Sequence, residues 1–311
     1  MHGRVIKNTG SFYDVRTDNG GARVPCKVKG NFRLRGIRST NPVAVGDFVT
    51  IQKAENEEVG FITEIDERRN YIIRKASNLS KQSHILAANI DLALLVVTVA
   101  RPETATTFID RFLASAEAYR IPVALIVNKC DDLKTDAEKE TAELWRYIYE
   151  PLGYSVVRTQ LVEGNTSGID DVKNLIAGKT VLLAGNSGVG KSTLLNALIP
   201  DAHVKTAEVS EQHGTGQHTT TFSQLIEGEG FELIDIPGIK GFGTFDITPE
   251  ELSHYFREIF KISEGCRFDN CTHTHEPGCA VQEALENGEI APSRFTSYLS
   301  MLEDQSESKY R

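Results

Sequence analysis

Residues 180–198 read TVLLAGNSGVGKSTLLNAL, and this stretch decides the fold. The apolar TVLLA predicts a buried strand, and the Leu-rich run after Lys191 predicts a helix that stops at Pro200. The turn between them, Gly185 to Ser192, fits G-x-x-x-x-G-K-[ST]. Gly185, Gly188 and Gly190 let the backbone wrap closely around an anion. The amides of Asn186, Ser187, Val189 and the residues up to Thr193 then face phosphate together with a helix N-terminus. Lys191 reaches the β- and γ-phosphates, and Ser192 is a candidate Mg2+ ligand.

The same grammar extends on both sides. IDLALLVVTVA (90–100) and PVALIVN (122–128) are apolar runs on either side of a helical pattern from Thr107 to Tyr119, and FELI (231–234) adds a further strand. Continuous apolar strands alternating with helices predict a doubly wound α/β sheet, a P-loop nucleotide-binding core. Ligands of such sheets bind at the carboxyl ends of the strands, and the remaining motifs fall there.

Asn128-Lys129-Cys130-Asp131 follows PVALIV. A carboxylate in the place of Asp131 accepts two hydrogen bonds from guanine N1–H and N2–H2. Adenine lacks that donor pair and would leave the carboxylate unpaired at a cost of about 1–3 kcal/mol. Asp235-Ile236-Pro237-Gly238 follows FELI, placing Asp235 to hold Mg2+ through water and Gly238 to sense the γ-phosphate. Between it and the P-loop lies Gly216-Gln217-His218-Thr219-Thr220-Thr221, a switch segment whose Thr219 and Thr220 are candidate nucleotide contacts, with Thr220 also a Mg2+ ligand. The set implies a GTP-hydrolysing site. Its order is unusual: the guanine motif precedes the phosphate motifs, as when a chain is cut and rejoined with every strand kept in place, a circular permutation.

Residues 1–70 break into five short β-runs with Gly-rich turns, an OB-like barrel by pattern. Residues 71–85 read as a linker, 86–245 as the permuted nucleotide domain, and 246–311 as a helical tail. The whole chain has 311 residues and a net charge of −9, yet residues 1–80 carry 14 Lys and Arg against 9 Asp and Glu. The barrel is the basic end. Arg16, Arg23, Lys27, Lys29, Arg33, Arg35 and Arg38 interleave with Phe32, a composition suited to RNA phosphates and bases. No run of 18 apolar residues and no signal-like start occurs, so a cytoplasmic protein without a membrane partner is expected.

Cys266, Cys271 and Cys279 cluster near His273 and His275. Three thiolates and one imidazole suit structural, tetrahedral Zn2+, and Pro277-Gly278 supplies the turn that returns Cys279. Either histidine is a possible fourth ligand. A glutamine commonly follows the glycine of D-x-x-G to orient the attacking water, but Ile239 stands here, and His218 is the nearest candidate for that catalytic role.

A basic barrel, then N-K-x-D, G-x-x-x-x-G-K-S, GQHTTT and DIPG, then C-x4-C-x-H-x5-C: in this order the motifs resemble the bacterial ribosome small-subunit-dependent GTPase A family (RsgA, also called YjeQ) along the full length. The resemblance favours His273 over His275 as the zinc ligand and supports His218 in catalysis. It implies a monomeric assembly factor that binds the small ribosomal subunit through 16S rRNA. Such a factor turns GTP to GDP slowly alone, on the order of 10⁻⁴ to 10⁻² per second, and faster on the subunit. The family's Ser-Ala-type guanine loop is not evident after N-K-x-D, and Thr159-Gln160 is the nearest candidate. Two rival readings are a GTPase serving another RNA partner, such as a tRNA-processing complex, and an RNA-binding scaffold that switches without turnover.

Overall fold

The computed structural model describes residues 1–10, 12–28, 42–55, 57–75, 83–162, 165–200, 223–236 and 247–308. Strands β1 (His2–Asn8), β2 (Tyr13–Thr17), β3 (Arg23–Val28), β4 (Phe48–Gln52) and β5 (Gly60–Ile65) close on themselves in the order 1-2-3-5-4-1. Only β3 and β5 pair in parallel. Period-2 alternation drives the closure: Tyr13 and Val15 on β2, and Val49 and Ile51 on β4, all point into one small apolar core. This is the expected five-strand barrel.

The expected linker is a correction. Tyr71–Lys75 and Ser83–Ala88 form β6 and β7, an antiparallel pair. Ile72, Ile85 and Ala87 are buried, and Ala87 bridges to Val45 of the barrel. The polar residues between the strands hid this period-2 signal. Asn70 fixes the exit by exchanging hydrogen bonds with the backbone of Ile90 at 2.8 Å each way.

In the nucleotide domain, β8 (Leu92–Val97), β9 (Val123–Val127), β10 (Ser155–Arg158), β13 (Thr180–Ala184) and β15 (Phe231–Asp235) are parallel, in the order 10-9-8-13-15, while β11 (Gln160–Val162) and β12 (Asn165–Ser167) form a separate antiparallel pair. Strand β8 shows why its run is unbroken. Ala93, Leu95 and Val97 face a core shared with helices α1 (Thr106–Ala118) and α2 (Asp136–Tyr149). Leu92, Leu94 and Val96 face another, shared with α3 (Ile169–Ile176) and α4 (Lys191–Leu198). A strand covered on both faces has no polar side to show. The sheet is doubly wound, as expected.

Strand β14 (Gln224–Gly228) adds an antiparallel edge to β15 and then pairs with β1, so the sheet runs on into the barrel. The tail, α5 (Arg257–Ser263), α6 (Ala280–Glu286) and α7 (Pro292–Ser308), has its own core around Phe256, Val281 and Tyr298, joined by Ala114 of α1.

Candidate nucleotide site and metal centre

The carboxyl ends of β8, β13 and β15 meet, with Ala184 beside Leu95 and Leu183 beside Asp235. Gly185 leaves β13 at φ +139°, and a Cβ there would lie 2.3 Å from the Val96 carbonyl oxygen. Gly190 caps α4 at φ +95°, and a Cβ there would lie 2.3 Å from Asn128 Nδ2. Both positions demand glycine for left-handed backbone and for close approach. No side chain caps α4, so its first amides are directed at the loop interior, an anion site by geometry. Lys191 lies in that interior, donating to the carbonyls of Gly185 at 3.0 Å and Asn186 at 2.6 Å. Burial lowers its pKa while Asp235 opposes the shift. A largely buried ammonium whose hydrogen-bond acceptors among the described residues are neutral carbonyls is poised for phosphate, which offers full negative charge. Ser192 and Thr193 occupy the first turn of α4, and Asp235 is buried at the end of β15.

The guanine motif reaches this loop directly. Asn128, 3% exposed, donates from Nδ2 to the Val189 carbonyl at 2.9 Å and accepts from the Thr159 hydroxyl at 2.8 Å. One amide thus joins three segments far apart in the chain, and residues 128–131 and 185–192 share one site. Cys130 N–H donates to the Thr159 carbonyl at 3.2 Å, which sets Thr159-Gln160 beside the N-K-x-D turn. Lys129 adopts left-handed φ +59° and donates to the Arg101 carbonyl at 2.8 Å. Burial lowers its pKa. Asp131, in the turn Cys130–Asp132, is exposed.

His218, Thr219, Thr220, Gly238 and Ile239 lie outside the described residues, as do Lys29, Phe32, Arg33, Arg35 and Arg38. Of the basic stripe that is described, Lys27 stacks over the Phe12 ring at 4.6 Å, and Arg16 pairs with Glu227 and Glu232 of the nucleotide domain. Arg16 therefore serves a domain joint, which spacing within residues 1–80 does not disclose. Sequence reasoning also missed Thr159 as a partner of Asn128, and Arg101; neither contact leaves a local sequence signal.

In the tail, Cys266, Cys271, His273 and Cys279 bring their ligand atoms within 4.8 Å of one another. Tetrahedral zinc, with Zn–S about 2.3 Å and Zn–N about 2.0–2.1 Å, needs edges of roughly 3.8 Å between sulfurs and 3.5 Å from sulfur to nitrogen. The Cys266–Cys279 sulfurs lie 3.9 Å apart, and His273 Nδ1 lies 3.6 and 3.4 Å from them. Burial, joined by the neighbouring thiols, pushes Cys271 up to about 12, so metal capture there releases protons. The Tyr298 hydroxyl donates to the Thr272 carbonyl at 2.9 Å, bracing the ligand loop. Against the cost of burial, hydrogen bonds from Thr272 and the backbone amides beside it hold the Glu276 carboxyl well below the usual range. His275 stands apart, exposed, with Nδ1 2.8 Å from the Thr274 hydroxyl. The donor set and its spacing fit a metal ion.

Among the described residues no helix is long and apolar enough to cross a membrane. The RsgA N-terminal domain family matches residues 2–62, and the RsgA GTPase family matches 65–245. A relative from Bacteroides thetaiotaomicron named small ribosomal subunit biogenesis GTPase RsgA 2 is 58% identical, over 100% of this chain and 99% of its own. One from Phocaeicola vulgatus, small ribosomal subunit biogenesis GTPase RsgA, is 57% identical with the same coverage. The crystal structure of YjeQ from Thermotoga maritima superposes with a TM-score of 0.77 at 35% identity, covering 98% of each chain. That of YloQ, described as a circularly permuted GTPase, gives 0.75 at 29%, covering 100% of this chain and 96% of its own. The Asn128 bridge, the permuted motif order and these matches agree: the chain belongs to the RsgA family of circularly permuted GTPases.

Proposed function

We propose that this GTPase couples hydrolysis of GTP to GDP and phosphate with late maturation of the small ribosomal subunit, acting as a cytoplasmic monomer that turns over faster on the subunit. The names of the curated relatives support the subunit as partner. The observation that carries the reading is Asn128, whose amide ties the base-reading turn to the P-loop carbonyl of Val189. Asp131 reads the guanine edge, with Thr159-Gln160 as the second wall of the base pocket. The α4 amides and Lys191 bind the phosphates. Ser192, Thr220 and Asp235 would hold Mg2+, which would supply positive charge to offset that of the phosphates. Gly238 senses the γ-phosphate, Thr219 contacts the nucleotide, and His218 orients the attacking water in place of the glutamine where Ile239 stands. Residues 1–70 face 16S rRNA, 86–245 hold GTP, and the ion in the 246–311 tail is structural Zn2+, which three thiolates and an imidazole favour.

The test is GTP hydrolysis with and without purified small subunits, on the native chain, His218→Ala and Asp131→Asn. The native chain is stimulated, His218→Ala keeps GTP affinity but loses the stimulated rate, and Asp131→Asn accepts xanthosine triphosphate. Unaltered preference of Asp131→Asn for GTP would remove the base assignment, and absence of stimulation would remove the partner.

A further inference from the structure

We infer that Arg101 is a positioning residue for the guanine base: its carbonyl holds the Lys129 ammonium, and its guanidinium is anchored on Asp132 and Glu138 so that the carbonyl stays in place. The inference rests on the reading of residues 128–131 as the base-recognition turn and adds a residue from the loop between β8 and α1, well before that motif in the chain.

The geometry is concentrated on one side chain. Arg101 has left-handed backbone at φ +51°, which turns its carbonyl toward Lys129 Nζ, 2.8 Å away. Arg101 Nε donates to Asp132 Oδ2 at 2.5 Å, Nη1 to Glu138 Oε1 at 2.8 Å and Nη2 to Glu138 Oε2 at 3.2 Å, while Nη2 also meets the Asp132 carbonyl. Glu138 is in turn fixed by the cap of α2. Its Oε2 accepts the amides of Lys134 at 2.5 Å and Thr135 at 3.1 Å, and the Thr135 hydroxyl accepts the Glu138 amide at 3.2 Å. Arg101 and these two amides hold the Glu138 carboxyl down at about 2, so the anchor stays charged throughout the working range. A continuous chain of contacts therefore runs from the α2 cap through Glu138 and Arg101 to the Lys129 ammonium.

Two physical points assign a role to this chain. Stability is a poor explanation, because Arg101 is 39% exposed and Asp132 31% exposed, and solvent-exposed ion pairs of this kind add little. Positioning is a good one. A lysine side chain has many rotamers to lose on ordering, and a stem pinned at its ammonium presents its methylenes as a fixed surface. Lys129 stands in the same turn as Asn128, which bonds the P-loop carbonyl of Val189, and Asp131, which reads the guanine edge under the proposed function, and in this proposal its stem forms one wall of the base pocket. Arg101 pre-pays the ordering of that stem.

The experiment measures dissociation constants for GDP carrying a ribose-linked fluorophore on the full chain, with melting temperature alongside. Arg101→Ala weakens binding about tenfold, equivalent to 1.4 kcal/mol, with an unchanged melting temperature. Asp132→Asn, which loosens the same guanidinium from the other end, weakens it less. Lys129→Met also weakens binding, and adding Arg101→Ala to it brings no further loss, because Arg101 acts only through Lys129. Native-like affinity for Arg101→Ala, or a full tenfold loss added on top of Lys129→Met, would overturn the proposal. If Lys129→Met itself binds normally and Asp131→Asn still prefers GTP, the base-recognition reading fails, and the proposal with it.

Discussion

The two modules attached to the GTPase core are joined to it by opposite kinds of chemistry. The barrel continues the sheet: Lys7 pairs with Gln224, Asn8 N–H reaches the Ser223 carbonyl at 3.2 Å, and Arg4 and Arg16 meet at Glu232. Much of that ion network is wet, with the Glu227 side chain 51% exposed and Arg16 25%. The tail instead packs on α1 through sealed charge. Arg294 is 1% exposed and bonds Asp110 at 2.8 Å and Glu258 at 2.6 and 3.0 Å, under the Phe256 ring at 4.6 Å. Burial pushes the Asp110 carboxyl up, although Arg294 and the Tyr149 hydroxyl oppose it. The joints also differ in where they lie. Gln224 sits opposite Lys7 on one side and Asp235 on the other, so two strand-to-strand steps separate the barrel from the carboxylate at the phosphate end of the site. The backbone joint adjoins β14 and β15, and the buried-charge joint rests on a helix.

The largest effect expected is from metal removal. Binding energies of structural zinc in small peptides run to about 10–16 kcal/mol, and the cluster braces the loop that Tyr298 holds. Chelation should strip hydrogen-exchange protection from α5, α6 and α7 while β1 to β5 stay protected, which separates the two modules directly. Protection lost equally in both, or in neither, breaks the contrast. Arg294→Met comes next. It leaves Asp110 and Glu258 buried without a cation, a cost of about 3–5 kcal/mol, measured as a fall in urea midpoint; a loss below about 1 kcal/mol would mean the joint is wetter than its geometry.

How much of this was legible in the sequence follows from the range of each interaction. TVLLAGNSGVGKS declared strand, turn and helix because its glycines answer to local backbone geometry, and Gly185 and Gly190 stand where only glycine fits. The four-ligand cluster was legible for the same reason, its members lying within 14 residues. Asn128 was visible as a motif but not as a bridge, since Val189 is 61 residues away. Arg294 carries no local sequence signal, because its burial is made by α1 and α5 rather than by its neighbours. Residues 71–85 mislead because Lys75 and the polar run after it mask Ile72, which is buried in the main core with Val45, and Ile85, which is buried in a small cluster with Ala44 and Ala88. Local rules expose turns and ligand sets; joints between modules are written in pairs.

Arg4→Met tests the barrel side of the contrast with the same substitution. Arg4 is buried against Glu232 and donates to the Thr180 hydroxyl at 3.0 Å, but Glu232 is 21% exposed and keeps Arg16. With a partner and solvent left, the loss should be about 1–2 kcal/mol, smaller than at Arg294. Equal losses at the two joints would show that burial of the partner, rather than chemistry, fails to set the cost.

The smallest effect belongs to His2 at the outer face of the barrel. Hydrogen bonds that its ring donates to the Asp18 and Asp66 carboxylates, at 2.5 and 3.0 Å, raise its pKa above the usual imidazole value. A histidine whose folded pKa is raised contributes stability that is fully present below its unfolded pKa and lost as pH rises through the folded value. The side chain is 42% exposed, so solvent screening keeps the contribution under about 1 kcal/mol. The urea midpoint of the native chain should therefore exceed that of His2→Gln at pH 5.5 and converge with it by pH 9, with the gap shrinking as salt is added. A gap that grows with pH, or one indifferent to salt, would place the histidine in a sealed environment like that of Arg294 and erase the distinction between the wet module and the dry one.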